Sequence, residues 1–291
     1  MNHPLDPTLT AQAQALVAQM TLAEKADFCS GKDFWHLPGL ARLNIPNIMV
    51  TDGPHGLRKQ GQNADHLGAH RSVPATCFPT ASGLASSWDL ELMHEVGVAL
   101  GQTCVDEDVS VLLGPGMNIK RSPLCGRNFE YFSEDPLLNG QIAASLVNGI
   151  QSQGVGACLK HFAVNNQELG RMYMDAVVDE RTLREIYLRG FEIAVRTAKP
   201  WTVMCAYNRL NGVYCSEHDW LLNTVLREEW GFEGSVITDW GAANDRPVGV
   251  KAGLDLEMPG SGGVNDTLVV QAVANGDLEE ADLDRTVARN I

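Results

Sequence analysis

Short apolar runs alternate with amphipathic stretches along this chain, and the two kinds of segment have different periods. NIMVT (47–51), TCFPT (76–80), SVLLG (110–114), GACLKHF (156–162), WTVMCAY (201–207), SVITD (235–239) and DLEM (255–258) are apolar on successive residues. Parallel strands buried on both faces show this unbroken pattern, whereas half-exposed strands alternate. Between the runs, helices announce their ends. Asp135 followed by Pro136 reads as an N-cap and first helical residue, with Gly154 as the stop and Ala143, Leu146, Val147 and Ile150 as the apolar stripe. After Asp179, residues Leu183, Ile186, Tyr187, Phe191, Ala194 and Val195 recur at three- and four-residue spacing until Pro200. Thr21 and Glu24 have the spacing of a capping box for a short helix ending near Gly31. Leu283, Val287 and Ile291 stripe the closing stretch EEADLDRTVARNI.

Strand–helix alternation over this length predicts an α/β fold of the (β/α)8 TIM-barrel type, which takes roughly 250 residues. Seven strands are legible, one short of closure. A doubly wound open sheet is the alternative, but no glycine-rich phosphate loop follows the first strand. No linker, repeat or low-complexity tract divides the sequence, so residues 1–291 read as one catalytic domain. The last helix stops without a C-cap, which reads as a fragment of something longer.

Composition narrows the function. The chain has 291 residues, 44% hydrophobic and 20% charged, ordinary for a globular protein. A net charge of −14 lacks the field of Lys and Arg that nucleic acid requires, and weakly disfavours an anionic substrate. No run approaches the roughly 20 apolar residues of a membrane span, and MNHPLDPTLTAQ does not resemble a secretory signal. The seven cysteines are odd in number and form no CxxC pair, so they read as buried thiols in a reducing, cytoplasmic compartment. His66 and His70 have the i, i+4 spacing of zinc ligands on a helix. Their context, NADHLGAHRS, instead reads as a loop without a third ligand, and neither metal nor cofactor is expected.

In a parallel barrel the active site lies at the C-terminal ends of the strands. The polar residues there are Asp52, Lys160, His161, Asn208, Asp239, Trp240 and Glu257. Carboxylates, cationic donors and a flat aromatic face suit a neutral, hydroxyl-rich ligand. Each residue also has an ordinary structural reading. Asp239 can cap the segment after its strand, Asp52 can serve an Asp-Gly-Pro turn, and Lys160 and His161 can join an ion-pair network.

The motifs LVAQMTLAEK, SGKDFWH, IPNIMVTDGPHGLR, GPGMNIKRSPLCGRNFEYFSEDP, KHFAVNNQE, MCAYNRLNG, GFEGSVITDWGA and AGLDLEMPG follow one another in this order. The chain thereby resembles glycoside hydrolase family three, in particular its bacterial β-glucosidases, from about residue 16 to its end. The resemblance implies a retaining β-glucosidase with Asp239 as the nucleophile that forms a covalent glycosyl-enzyme. It implies Asp52 as a binder of the terminal sugar's hydroxyls, Lys160 and His161 as a hydroxyl-binding pair, and Arg127 as a further sugar contact. It also implies Tyr207 as a hydrogen-bond donor near the nucleophile and Trp240 as the border of the leaving-group side. Arg127 has an alternative as a salt bridge to Glu130.

Retention needs a second carboxyl group roughly 5 Å from the nucleophile. The resemblance implies that this acid/base is a Glu of a second, C-terminal α/β domain. Glu257, Glu168 and Glu134, the candidates within the chain, match no acid/base position. The family's single-domain N-acetylglucosaminidases carry KHFPGHG and an Asp-rich segment, and KHFAVNNQE lacks that second His. The alternatives left open are β-xylosidase- or arabinosidase-type specificity, and a sugar-binding barrel without turnover.

Overall fold

The computed structural model describes residues 7–61 and 70–291. The chain runs α1 (Pro7–Val17), α2 (Leu22–Asp27), β1 (His36–Leu37), β2 (Ile48–Asp52), α3 (Ala81–Ala85), α4 (Leu90–Asp106) and β3 (Val111–Leu113). It continues through α5 (Pro136–Gln151), β4 (Gly156–Phe162), β5 (Asp175–Ala176), α6 (Glu180–Thr182), α7 (Arg189–Ala198) and β6 (Thr202–Cys205). It ends with β7 (Arg209–Leu210), β8 (Val213–Tyr214), β9 (Ser235–Thr238), α8 (Arg246–Ala252), α9 (Val264–Asn275) and α10 (Glu280–Asn290). Two compact units result: a central one, Val50–Cys215, and a terminal one, Met1–Met49 with Ser216–Ile291.

In the central unit, β2, β3, β4 and β6 pair side by side, all parallel, in registers that include Thr51 with Leu112, Val111 with Gly156 and Leu159 with Val203. All seven residues of β4 are buried, which is why Gly156–Leu159 are apolar without a break and the strand's polar residues, Lys160 and His161, are paired. These ladders establish an α/β fold with parallel strands; a closed eight-strand barrel goes further than they do. Residues 76–80, expected as a strand, form none. Pro79 has no N–H to give a ladder, most of the segment is exposed, and Thr80 instead caps α3 by accepting a hydrogen bond from the Gly83 N–H.

Helix α5 begins as its sequence predicts. The Asp135 carboxylate accepts from the Leu138 N–H at 2.7 Å and Pro136 opens the helix, and Ala143, Leu146, Val147 and Ile150 are buried. The helix ends at Gln151, and Gly154 follows it in the left-handed region at φ 79°. Helix α4 approaches α5 closely at glycines: a Cβ built on Gly97 would meet Leu146 O at 2.4 Å, and one on Gly149 would meet His94 O at 2.2 Å. The stretch after Asp179 is helical to Ala198 but not one regular helix, because residues Leu183–Leu188 form a π turn. Its extra residue shifts the helical phase, and Ile186, expected on the apolar stripe, is exposed.

In the terminal unit, Thr21 and Glu24 form the capping box of α2, which stops at Asp27. Val17, Phe28, Val250, Val269, Leu278, Leu283 and Val287 pack into one core, while Ile291 is exposed. DLEM (255–258) makes isolated parallel bridges, Leu256 with Ile237 and Glu257 with Ser30, rather than a ladder. Fully buried Asp255 ties this unit together: its carboxylate accepts from Arg227 at 2.5 Å, Arg289 at 3.1 Å and the Val236 N–H at 2.7 Å. Among the described residues, no helix is long and apolar enough to cross a membrane.

Candidate active site

The central unit gathers five of the residues expected to bind substrate. Asp52 is the last residue of β2, Lys160 and His161 lie near the end of β4, and Tyr207 stands just past β6. Arg127 lies on the segment between β3 and α5. Lys160 Nζ donates to Asp52 Oδ1 at 2.8 Å and lies 3.5 Å from Glu130 Oε1. Glu130 Oε2 in turn accepts from Arg127 Nε at 2.7 Å. Arg127 therefore makes the salt bridge that was its alternative reading, and also reaches His161 Nε2 at 3.0 Å. Arg58 Nη1 adds a longer contact, 3.6 Å, to Asp52 Oδ2.

The backbone here is pinned by side chains. Asn118 accepts from the His161 N–H and donates to the His161 carbonyl, each at 2.8 Å, so one amide satisfies both polar groups of a buried residue. Charge balance then sets the protonation states. Burial alone would push the Lys160 ammonium down, but the Asp52 and Glu130 carboxylates reverse this and raise its pKa. Burial pushes the Glu130 carboxyl up, but Lys160 and Arg127 outweigh it and hold the group below the usual carboxylate range. His161 has the opposite fate: burial, with Arg127 and Lys160 adding to it, lowers its pKa well below the ordinary value and keeps the ring neutral.

Two residues absent from the sequence expectations join this array. The Arg171 guanidinium lies over the Tyr207 ring, 4.7 Å from its centroid, and donates to Glu168 Oε2 at 2.8 Å. Tyr131, fully buried, places its hydroxyl 3.1 Å from His161 Nδ1. Glu168 also accepts from Asn165 at 3.2 Å, so it is held in a structural network. Asn208, one of the polar residues at strand ends, is fully buried and donates to the carbonyls of Ala163 and Arg209, at 3.3 and 3.0 Å.

Asp239 and Trp240 lie in the terminal unit, directly after β9. Asp239 is half-buried and its Oδ1 accepts from the Trp240 N–H at 2.8 Å, so the carboxylate is oriented by its own turn. The Trp240 indole donates to Phe34 O at 3.0 Å and packs at 5.1 Å between ring centroids against Trp35. Phe34 and Trp35 thereby form an aromatic support that the sequence signalled only as part of SGKDFWH. Glu257 is turned to other work, accepting from Asn265 at 2.7 Å and from Ser30 at 3.4 Å. Among the described residues, no three His, Cys, Asp or Glu side chains form a group able to hold a metal; His66 lies outside the described residues.

The sequence profile of the glycosyl hydrolase family 3 N terminal domain matches residues 40–291. Thermostable beta-glucosidase B of Acetivibrio thermocellus is 62% identical over 97% of this chain, which spans 37% of that protein. The exo-alpha-(1->6)-L-arabinopyranosidase of Bifidobacterium breve is 55% identical over 92% of this chain, here spanning 35% of the relative. The solved structure of beta-glucosidase 3B from Thermotoga neapolitana in complex with α-D-glucose superposes with a TM-score of 0.90 at 45% identity, covering 96% of this chain and 42% of that one. The chain thus spans well under half the length of the relatives it matches.

Proposed function

Because the chain belongs to glycosyl hydrolase family 3 by its N terminal domain, we propose that it is the (β/α)8 barrel part of a retaining β-glucosidase. In this reading Asp239 attacks the anomeric carbon of a terminal β-glucosyl residue, the C1–O bond to the leaving group breaks, and a glycosyl ester forms. Water then cleaves that ester from the opposite face, giving net retention. Asp52 and Arg127 bind glucosyl hydroxyls, with Lys160 as a further hydroxyl partner; His161, whose ring nitrogens are engaged by Arg127 and Tyr131, serves the sugar by orienting Arg127 rather than by a hydroxyl contact of its own. Tyr207 donates toward the nucleophile, and Trp240 borders the leaving group.

The observation that carries this reading is the interlocked array of Asp52, Lys160, Glu130 and Arg127. It holds both signs of charge in fixed, paired positions, which suits a neutral polyol better than an ion. The leaving oxygen also needs a proton from a second carboxyl group. Glu168 and Glu257 are occupied in structural hydrogen bonds and Glu134 matches no acid/base position of the family, so we assign the acid/base to a C-terminal α/β domain outside residues 1–291. The seven free cysteines support a reducing compartment, the cytoplasm.

Incubation with a 2-deoxy-2-fluoro-β-glucoside bearing an activated leaving group tests the nucleophile. Mass spectrometry should find one fluoroglucosyl adduct on Asp239. An adduct mapped elsewhere, or labelling of Asp239→Asn, would sink the assignment. The relative named for an L-arabinopyranosidase supports a second reading, a pentopyranosidase of the same mechanism, β-xylosidase-type included. A lower KM for aryl pentopyranosides than for aryl glucosides in the longer protein would favour it.

A further inference from the structure

We propose that Tyr131 is a positioning residue: its buried hydroxyl accepts the Nδ1 proton of the His161 tautomer that Arg127 selects, and so holds the imidazole with its Nε2 aimed at an Arg127 N–H. The use of Arg127 for sugar binding rests on the glycosidase reading above, whereas the tautomer follows from hydrogen-bond chemistry alone. Arg127 Nη2 stands 3.0 Å from His161 Nε2. A guanidinium can only donate, so Nε2 must carry a lone pair and the ring proton must sit on Nδ1. The atom 3.1 Å from Nδ1 is the Tyr131 hydroxyl oxygen, which must therefore accept.

Three features suit Tyr131 to this role. It is fully buried, so water does not compete for the Nδ1 proton. Burial, the main influence on its phenol, raises its pKa well above the ordinary value, so the hydroxyl stays neutral. Asn165 Nδ2 lies 3.5 Å from the same oxygen and 3.2 Å from Glu168 Oε1, which sets the amide orientation with its N–H groups toward the hydroxyl. The opposite tautomer would put an N–H of His161 against an N–H of Arg127. The guanidinium would then have to leave its place between Glu130 and His161.

The test is a long-range proton–nitrogen NMR spectrum of the full chain labelled with 15N-histidine, with His161→Gln to assign the His161 signals. In the parent, Nδ1 should appear protonated and Nε2 bare, unchanged between pH 6 and pH 8. Tyr131→Phe should keep Nε2 bare but move the Nδ1 proton resonance upfield, its acceptor gone, with glucose affinity about tenfold weaker in a titration, the scale of one lost buried hydrogen bond. Arg127→Met, which frees Nε2 from its donor, should release the tautomer while the fold persists. A parent ring protonated at Nε2 overturns the proposal. So does an Nδ1 proton resonance left unchanged by Tyr131→Phe, or an unchanged glucose affinity where the parent binds glucose. Should the parent bind no glucose, the glycosidase reading fails, and the nitrogen signals still decide the role of Tyr131.

Discussion

Neutralising Glu130 removes the carboxylate that Lys160 and Arg127 share. In Glu130→Gln, Lys160 keeps Asp52 at 2.8 Å, and Arg127 keeps a neutral amide oxygen where it had an ion pair at 2.7 Å. Breaking a buried pair by removing one partner costs about 3–5 kcal/mol. Because Asp52 still compensates Lys160, the lower end applies, about 3 kcal/mol. For a chain of this size each kcal/mol moves the melting temperature by roughly 2–4 °C, so a fall of roughly 6–12 °C is expected at pH 7. Differential scanning calorimetry reads this directly.

The pH dependence sharpens the same test. Lys160 and Arg127 hold the folded-state pKa of Glu130 below the usual range, despite burial. A carboxyl depressed in this way stabilises the fold above its unfolded pKa of about 4.3, and that contribution is lost as pH falls through the folded value. The gap between parent and Glu130→Gln should therefore hold steady from neutral pH down to about 5 and close under more acidic conditions. A gap under about 2 °C at pH 7, or one that stays open in acid, refutes the reasoning.

Other variants probe separate links. Asp52→Ala removes the carboxylate at the end of β2 and should weaken glucose binding by about 1–3 kcal/mol in calorimetric titration, with an intact circular dichroism spectrum. Asp255→Asn keeps an acceptor for the Val236 N–H but leaves Arg227 and Arg289 without a counter-charge; urea denaturation should show a loss of about 3–5 kcal/mol. Phe162→Ala opens a cavity beside Phe191, whose ring meets that of Phe162 edge-on at 5.2 Å; about 3–5 kcal/mol should be lost, with unchanged m.

What could be read from the sequence was what local chemistry dictates. The strand Gly156–Phe162 was legible to the residue because burial on both faces keeps Gly156–Leu159 apolar and admits Lys160 and His161 only as paired groups. Asp135-Pro136 marked its helix start because capping depends on neighbours three residues apart. Thr80 shows where this fails: TCFPT has strand-like residues, but Pro79 and solvent exposure decide against pairing, and exposure is a tertiary property. The π turn at Leu183–Leu188 was invisible because an apolar stripe does not record one extra residue in a turn. Candidate site residues at strand ends were named by position and by motif. Arg171 and Tyr131 were missed because they come from the connecting segments, and their partners Tyr207 and His161 are 36 and 30 residues away.

The seam between α4 and α5 has a consequence for how this chain tolerates insertion and deletion. Gly97 and Gly149 lie with their Cα atoms so close that a Cβ on either would fall within 3 Å of the other's Cα. A bare Cα opposite a bare Cα is a notch at one longitudinal position. Sliding α5 along α4 by a single residue would bring Asn148 or Ile150, each with a side chain, to the place that only glycine fits. The two helices are thus keyed in register, and a length change between residues 107 and 135 cannot be absorbed by their sliding. It must be taken up inside that connecting segment, which carries Arg127, Glu130 and Tyr131.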